Sequence, residues 1–308
     1  MFKFGYEKAS SLADALRILD GRNNAHLLAG GTDVLLKIRH RQLRPRLLVS
    51  INRLEELRYI KSDNEYIRIG AGIKINELLE NELLLKTSPL LIRAAGGIGS
   101  PEVRNMATIG GNICSAGANC GTCGYPGCTT LSGGGVIPCR YASSADLIPP
   151  LLAMKAKLLL VSNNGERSLD LDDFVLGNRK TGIERGEILK EVSFKAQENV
   201  GWGYACLNTK EAMGVTVISI AMVLSRNLDN TCSRMSLAIG GAFERPVKVR
   251  DLKRLVQNKS IDMNLIEDIT DLAIRQLNYT ENLKMSVDYR RKMTGILIKD
   301  VIKQAMGA

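Results

Sequence analysis

Along the first third of the chain, stretches whose apolar residues have helical spacing alternate with stretches whose apolar residues are typical of strands. Residues 10–20 place their apolar side chains on one helix face, and Ser10 or Ser11 can cap that helix. Residues 25–28 form a short apolar run that predicts a buried strand, and a second helix is predicted to start near Asp33. The pattern therefore predicts a mixture of short helices and short strands.

The rest of the chain continues this mixture. Strands are predicted at residues 46–51, 66–70, 157–162, 187–194 and 234–239, and an apolar run covers 215–224. Helices are predicted at residues 75–80, 89–95, 147–156, 247–256 and 289–306. The last helix has a predicted buried stripe of Met293, Ile296, Leu297, Val301 and Ile302. Residues 96–112 hold five glycines and short apolar runs, which predicts a long irregular segment.

Bulk composition indicates a protein of more than one domain with a substantial core. The chain has 308 residues, 45% of them hydrophobic, and a prior of roughly 150 residues per domain predicts two or three domains. No stretch approaches the ~20 apolar residues of a membrane span, and the N-terminal residues lack the apolar region of a signal peptide. The expected location is cytoplasmic, where clustered thiols favour metal binding over disulfides.

The net charge of +10 leaves three kinds of partner open: nucleic acid, an acidic partner subunit, or phosphate groups. The densest basic runs, residues 37–46 and 245–254, are interleaved with uncharged residues. Aromatic residues make up 5% of the chain and do not alternate with basic ones, as they do where bases stack. A solvated basic surface is therefore favoured over a nucleic-acid groove.

Two glycine pairs lie where a backbone can approach an anion. AGGTD, residues 29–33, joins a predicted strand to a predicted helix start, and TIGGN, residues 108–112, precedes the cysteine-rich stretch. Glycine permits close approach and positive φ, and free N–H groups at such turns suit a phosphate. One such pair alone is a weak signal, because structural turns of this composition are common.

Five of the seven cysteines fall between residues 108 and 146, and four of them have the spacing C-x2-C-x4-C-x10-C. These four, which lie among Gly, Thr, Asn and Pro, are Cys120, Cys123, Cys128 and Cys139. The spacing favours metal ligation over inert thiols and leaves Zn²⁺ and a [4Fe–4S] cluster open, with iron modestly preferred. We expect Cys114 to be a bystander, and the isolated Cys206 and Cys232 to be structural.

Several motifs, read together, resemble the FAD-binding subunits of the molybdenum hydroxylase (xanthine dehydrogenase) family. They are AGGTD, TIGGN, GEILKEVSF from Gly186 and YRRKMTGILI from Tyr289. The resemblance implies an α+β fold, with a two-subdomain FAD-binding region of the PCMH type followed by an α+β domain of the CO dehydrogenase flavoprotein type. The implied bounds are 1–178, divided into about 1–55 and 56–178 with a cluster loop at 114–145, and then 179–308.

The resemblance also implies which residues bind FAD. In that family the two glycine motifs wrap the pyrophosphate with backbone amides, an acidic residue follows the small-residue loop, and another segment packs near the flavin ring. Carried over to this chain, the cofactor residues are Leu27, Leu28, Ala29, Gly30, Gly31, Thr32, Asp33, Val34, Thr108, Ile109, Gly110, Gly111, Asn112, Asp146 and Leu189. No catalytic residue is expected on this chain.

The cysteine stretch resembles an insertion in the beta subunit of 4-hydroxybenzoyl-CoA reductase, which carries an extra [4Fe–4S] cluster. Cys120 matches the first ligand of that cluster, and Cys139, in CRYASSAD, matches the last. Cys123 and Cys128 depart from the pattern, because they lie closer to the first ligand and the loop is shorter. Cys206 is another departure, since many relatives have lysine there, near the flavin.

The implied function is electron transfer with FAD and a [4Fe–4S] cluster, in a complex with a molybdenum-cofactor subunit and a [2Fe–2S] subunit. NAD or ferredoxin is the expected external carrier, with no nucleic acid and no membrane involved. Two alternatives stay open: a zinc-stabilised basic module that binds nucleic acid, and a flavoprotein whose cysteines hold no cluster.

Overall fold

The computed structural model describes residues 3–117, 145–177, 180–197, 199–211, 214–241, 245–279 and 285–307. Its strands are β1 Gly5–Lys8, β2 Ala25–Leu28, β3 Leu47–Ser50, β4 Ile60–Asp63, β5 Tyr66–Gly70, β6 Lys157–Ser162, β7 Gly165–Asp170, β8 Val175–Gly177, β9 Lys180–Thr181, β10 Ile188–Lys195, β11 Gly201–Asn208, β12 Thr216–Arg226, β13 Cys232–Gly240 and β14 Val247–Lys248. Its α-helices are α1 Leu12–Leu19, α2 Val34–Arg39, α3 Ile75–Glu80, α4 Glu82–Thr87, α5 Pro89–Gly96, α6 Pro101–Arg104, α7 Ile109–Cys114, α8 Ile148–Ala153, α9 Leu171–Phe174, α10 Leu252–Val256, α11 Met263–Arg275 and α12 Val287–Gly307. Two 3₁₀ turns cover Glu55–Leu57 and Ser115–Gly117.

The first layer is a three-stranded parallel sheet in the order β1-β3-β2. Ser11 caps α1, as predicted, by accepting a hydrogen bond from the N–H of Asp14 at 3.0 Å. The buried face of α1 packs against the sheet in a small apolar core that includes Ala15 and Val49. This layer holds β2 and the start of α2 in place, and these carry the first glycine motif.

The second layer is a five-stranded antiparallel sheet in the order β4-β5-β10-β6-β7. Strand β10 comes from far downstream and lies between β5 and β6. The largest apolar core joins this sheet to helices that include α3, α5, α7 and α8. Phe174 and Phe194 are among its fully buried side chains.

The last layer is an antiparallel sheet in the order β11-β12-β13-β14, which packs with α10, α11 and α12 around a second large core. The terminal helix is confirmed, and Val301 and Ile302 are buried as predicted. Ile296 was wrongly placed in the buried stripe, because its side chain is 49% exposed while that of Ile298 is buried. Residues 247–256 were predicted as one helix; the structure has β14 and then α10.

The prediction of an irregular segment at 96–112 was also wrong. Pro101–Arg104 forms a helical turn capped by Ser100, and Ile109–Cys114 forms α7 capped by Thr108. Short capped helices of this kind lack the long apolar period on which the prediction relied. Among the described residues, no helix is both long enough and apolar enough to cross a membrane.

Candidate functional site

A cavity of about 310 Å³ opens where the two glycine motifs meet. It lies between the parallel sheet, α7 and the bulged part of β10. Most of the residues carried over from the family resemblance line it: Leu27, Ala29, Gly30, Gly31, Thr32, Asp33, Val34, Thr108, Gly110, Gly111, Asn112 and Leu189. Two segments almost 80 residues apart in sequence are therefore brought to one site.

The two glycine motifs touch at Gly30. A Cβ placed on Gly30 would lie 2.7 Å from the carbonyl carbon of Met106 and 2.9 Å from Cα of Ala107. Such separations are far below an ordinary carbon–carbon contact of about 3.5–4.0 Å. Glycine at position 30 is therefore required for the first motif to lie directly against the backbone that leads into the second.

The first motif offers unused backbone donors to the cavity. Gly31 has φ +75°, a conformation that side chains resist. Among the described residues, no backbone or side-chain acceptor pairs with the N–H groups of Gly30, Gly31 or Thr32. Asp33 precedes α2 without capping it, and its carboxylate instead pairs with the buried Lys37 Nζ at 2.5 Å. The motif thus presents N–H groups beside a neutralised acidic side chain.

The second motif uses its amides differently from the sequence prediction. Ile109 N–H donates to the carbonyl of Ile73 at 2.9 Å, and Gly110 N–H donates to the carbonyl of Ala71 at 3.0 Å. Gly111 N–H donates to Thr108 Oγ1 at 3.0 Å. These three amides are already hydrogen-bonded within the protein. Their hydrogen bonds hold α7 against the end of β5, so the wall that they form is rigid.

Gly110 is needed for packing and not for a positive φ. Its φ is not in the left-handed region, and a Cβ there would lie 2.6 Å from Cβ of Ala71. From the sequence alone, glycine is expected here for conformational freedom and for room near an anion. The close approach of α7 to the central sheet supplies the stronger reason.

Asn112 and Leu189 complete the polar and apolar sides of the cavity. Asn112 Oδ1 accepts a hydrogen bond from Leu147 N–H at 3.2 Å, which fixes the side-chain amide and ties α7 to the start of α8. Leu189 is buried and lies at an irregularity in the pairing of β10 with β6, where the register shifts between Leu189 and Glu191. Such bulges re-aim side chains next to functional sites.

Three of the residues carried over from the resemblance do not line the cavity. Leu28 lies beneath Gly31, with Cδ1 3.2 Å from where a Cβ on that glycine would lie. Ile109 is fully buried in the large core. Asp146 lies near Cys206; partial burial of the Cys206 thiol, and then the negative charge of Asp146, raise the pKa of that thiol. Leu28 and Ile109 thus support the cavity from outside, while Asp146 lies next to the cavity, near Cys206.

Other residues of the cavity wall were not identified from the sequence. They are Ile51, Ala71, Ile98, Val103, Ala107, Cys114, Ser115, Ile183 and Ile188. Most are apolar residues from separate elements, and no local motif marks such residues as a set. The exception is Ile188, whose place next to Leu189 in the GEILKEVSF motif was an available signal.

The four predicted metal ligands, Cys120, Cys123, Cys128 and Cys139, lie outside the described residues. Within the described ranges, no cluster of His, Cys, Asp and Glu side chains is arranged to hold a metal ion.

The three described cysteines differ in their surroundings. Cys114 lines the cavity, and burial raises the pKa of its thiol to about 12. Cys232 is buried in the second core, which agrees with a structural role. Cys206 was expected to be structural as well, but it is exposed on β11.

The cavity suits a dinucleotide in its chemistry. Glycine backbone with unused N–H groups can bind a pyrophosphate linker, because such groups pair with anionic oxygens at little steric cost. The apolar wall around Leu189, Ile188 and Ile183 suits a flat ring system. The residues present therefore fit FAD. Gly110 and the backbone amides of the second motif have structural roles here, whereas the sequence predicts that they contact the cofactor.

Comparisons with known proteins agree on the family. Residues 2–194 match the FAD binding domain in molybdopterin dehydrogenase, and residues 204–305 match the CO dehydrogenase flavoprotein C-terminal domain. The chain is 31% identical over 313 aligned residues to the xanthine dehydrogenase FAD-binding subunit of Escherichia coli O157:H7, covering 100% of this chain and 98% of that protein. It is 28% identical to the glyceraldehyde dehydrogenase medium chain of Sulfolobus acidocaldarius, covering 98% of each.

A solved structure extends the similarity to the whole fold. A chain of carbon monoxide dehydrogenase from Hydrogenophaga pseudoflava superimposes with a TM-score of 0.86 at 26% identity, covering 99% of this chain and 98% of that one. The predicted α+β fold, a FAD-binding domain followed by a CO dehydrogenase flavoprotein C-terminal domain, is therefore confirmed. With the cavity, the motifs and both domain matches in agreement, the chain belongs to the FAD-binding medium subunits of the molybdenum hydroxylase family, the flavoprotein components of oxidoreductases such as xanthine dehydrogenase.

Proposed function

We propose that this chain is the FAD- and [4Fe–4S]-containing electron-transfer subunit of a molybdenum-containing oxidoreductase. Its type is closest to the beta subunit of 4-hydroxybenzoyl-CoA reductase, because the cysteine stretch lies between TIGGN and Asp146. Xanthine or aldehyde dehydrogenase chemistry is the other substrate class for such a complex. Bound FAD would exchange electron pairs, and a bound cluster would pass single electrons.

The flavin part of the proposal depends on the convergence of the two glycine motifs at one cavity. Gly30, Gly31 and Thr32 would hold the pyrophosphate through their N–H groups, and Asn112 would add its side-chain amide. Leu189 and Ile188 would contact the flavin ring from the bulge in β10. These residues bind and orient the cofactor and exclude water; none of them needs to exchange a proton with it.

The cluster part depends on the spacing of the four cysteines and on where their segment begins and ends. The segment leaves the described structure after Gly117 and re-enters it at Ala145. Cys114 and Ser115, just before it, line the flavin cavity, and Leu147, just after it, is bonded to Asn112. The described residues on both sides of the segment therefore lie at the cavity that would hold the flavin, and this supports a role for the cysteines in electron transfer with it.

The named relatives are medium chains or FAD-binding subunits, which supports a complex with separate subunits. We propose a molybdenum-cofactor subunit and a [2Fe–2S] subunit as partners, with NAD or ferredoxin as external carrier. Substrate chemistry would then take place on the molybdenum subunit. The matched families give no support to the zinc-stabilised nucleic-acid module.

The visible spectrum and the iron content of anaerobically purified protein test both cofactors. We expect flavin bands with a broad brown shoulder, and about four irons and four acid-labile sulfides per chain. Flavin without iron would support the flavoprotein part of the proposal and refute the cluster. A colourless, zinc-containing protein would refute the proposal as a whole.

The variant Cys123→Ser separates the two cofactor sites. We expect it to lose the cluster and keep FAD, because the thiols and the glycine cavity use different atoms. Cys206→Ser is the matched control for iron content, since this exposed cysteine lies outside the segment and the variant should retain the cluster. Full iron content in Cys123→Ser would contradict the ligand set.

A further inference from the structure

A buried carboxylate lies in the middle of the five-stranded sheet, on β10. The side chain of Glu191 is 6% exposed. Its Oε2 accepts a hydrogen bond from the hydroxyl of Tyr59 at 2.8 Å, and its Oε1 accepts one from Arg68 Nη1 at 3.2 Å. A buried carboxylate is costly unless it is paired in this way. We call Glu191, Tyr59 and Arg68 the carboxylate network.

The two donors of the carboxylate network are themselves held in place. The carbonyl of Tyr59, just before β4, accepts a hydrogen bond from Gly70 N–H at 2.8 Å. Arg68, on β5, also pairs with Asp63 at 3.2 Å. Burial, and then the hydrogen bond and negative charge of Glu191, raise the pKa of Tyr59, so the phenol stays protonated and donates. The donors therefore determine where the Glu191 side chain can lie.

Glu191 directly follows the bulge that brings Leu189 to the cavity. The pairing of β10 with β6 shifts register between Leu189 and Glu191, so Lys190 is an extra residue. In a regular strand, residues two apart share a face. Here Leu189 instead lies in the large core with Val192, while Glu191 faces the carboxylate network on the other side. The network therefore stabilises the bulged register, because a regular strand would put Leu189 and Glu191 on the same face.

The bulge is also tied to the second glycine motif. Ala71 N–H donates a hydrogen bond to the carbonyl of Lys190 at 2.9 Å, and the carbonyl of Ala71 accepts one from Gly110 N–H at 3.0 Å. Lys190 Nζ pairs with Glu166 of β7 at 2.7 Å. A hydrogen-bonded path thus runs from the bulge to α7, and residues next to both of its ends, Leu189 and Gly110, line the cavity.

We propose that Glu191 is a positioning residue for the flavin ring of bound FAD, because its bonds to Tyr59 and Arg68 fix the bulge that aims Leu189 into the cavity. This inference rests on the proposed function, in which Leu189 contacts the ring. Glu191 faces away from the cavity and acts only through Leu189. A register slip of one residue moves a side chain to the other face of its strand, so a regular β10 would take Leu189 out of the cavity. Loss of the carboxylate should weaken contacts with the ring and spare those with the pyrophosphate.

Two ligands separate the ring from the pyrophosphate. FAD has both, whereas ADP-ribose has the pyrophosphate and no flavin. The Kd of each is measured by calorimetry on the flavin-free form of the purified full-length chain. For Glu191→Ala we expect about tenfold or greater weakening of FAD binding, the scale of a lost apolar contact in a pocket, and ADP-ribose binding within about twofold of wild type. The visible circular dichroism of bound flavin, which reports the surroundings of the ring, should change as well.

A second variant and two controls accompany Glu191→Ala. Tyr59→Phe removes one donor and keeps the aromatic ring, so it should show the same pattern at smaller size, and it decides the question if Glu191→Ala does not fold. Glu65→Ala is the matched control, because it removes a carboxylate that pairs with Lys195 at the exposed end of β10, at 2.6 Å. Ile269→Ala is the control for lost stability, because this residue is fully buried in the second core. Both controls should keep the wild-type ratio of the two Kd values.

The ratio of the two Kd values separates positioning from a general structural role. Equal weakening of FAD and ADP-ribose binding in Glu191→Ala and Tyr59→Phe would overturn the inference, as would unchanged binding of both ligands. A selective loss of FAD binding in Ile269→Ala would also overturn it, because general loosening would then explain the effect. Wild-type protein that binds neither ligand would refute the proposed flavin site, and this inference with it, whereas an unchanged ratio in a protein that binds FAD would refute the positioning role alone.

Discussion

Replacing Gly30 by alanine is expected to weaken FAD binding by about 5- to 150-fold. The new Cβ would clash with the carbonyl oxygen of Met106 and lie 2.7 Å from its carbonyl carbon, so the two glycine motifs must separate by more than about 1 Å to restore an ordinary contact. Overpacking of this size costs about 1–3 kcal/mol. The apo-protein can relieve it by opening the cavity mouth, whereas a pyrophosphate held by both motifs resists that opening, so the cost falls on binding.

Two measurements decide whether this reasoning holds. Flavin content per chain after gel filtration gives retention, and fluorescence quenching on titration of apo-protein with FAD gives the Kd. Gly97→Ala is the control, because its Cβ would meet no atom closer than Ala94 O at 3.5 Å, and φ at Gly97 is −82°. If Gly30→Ala binds FAD as tightly as the control, the close approach of the motifs does not serve the cofactor. A lower Tm with unchanged Kd would make the contact purely structural.

Three further predictions concern the support of the site. Lys37→Met should lower FAD retention, because it leaves the negative charge of Asp33 uncompensated beside the pyrophosphate of bound FAD. The double variant Asp33→Asn/Lys37→Met should recover part of the lost retention. Flavin content after gel filtration measures both effects. The side-chain hydrogen bond from Arg167 lowers the pKa of Glu187, so its contribution to stability is present above about pH 4.5 and lost as pH falls below it. The Tm difference between wild type and Glu187→Gln should therefore shrink on acidification; a constant difference would contradict this. Phe174→Ala, at a fully buried position, should cost about 3–5 kcal/mol in urea unfolding.

The sheet containing β10 shows where local pattern stops being informative. The apolar spacing of residues 187–194 predicts a strand, and β10 is found within one residue of those bounds. Its place between β5 and β6 depends on contacts with residues more than 100 positions upstream, in β5. Pairing partners are chosen by the packing of the whole core, and no local period records that choice. The bulge that brings Leu189 into the cavity is likewise a property of the paired strands.

Buried charge near the site illustrates the same limit. Lys37 lies in a run of basic residues, which favoured a solvated surface, yet the structure buries it and pairs it with Asp33. The i,i+4 spacing of the two residues was visible in the sequence, and it marks a helix pair. Which face of α2 turns inward depends on the sheet beneath it, so the burial of Lys37 was not predictable from spacing.

The sequence by itself determined the local elements and the family. A serine cap at residue 10 or 11, the strand at residues 25–28 and the order of the glycine motifs are local properties, set by backbone sterics, side-chain hydrogen bonds and apolar period. The tertiary structure alone decided that Gly30 meets Met106, that Gly110 is a packing glycine, and that Ile296 is exposed. These outcomes depend on which distant surfaces come together, because a close backbone contact or a buried face exists only after the layers have packed.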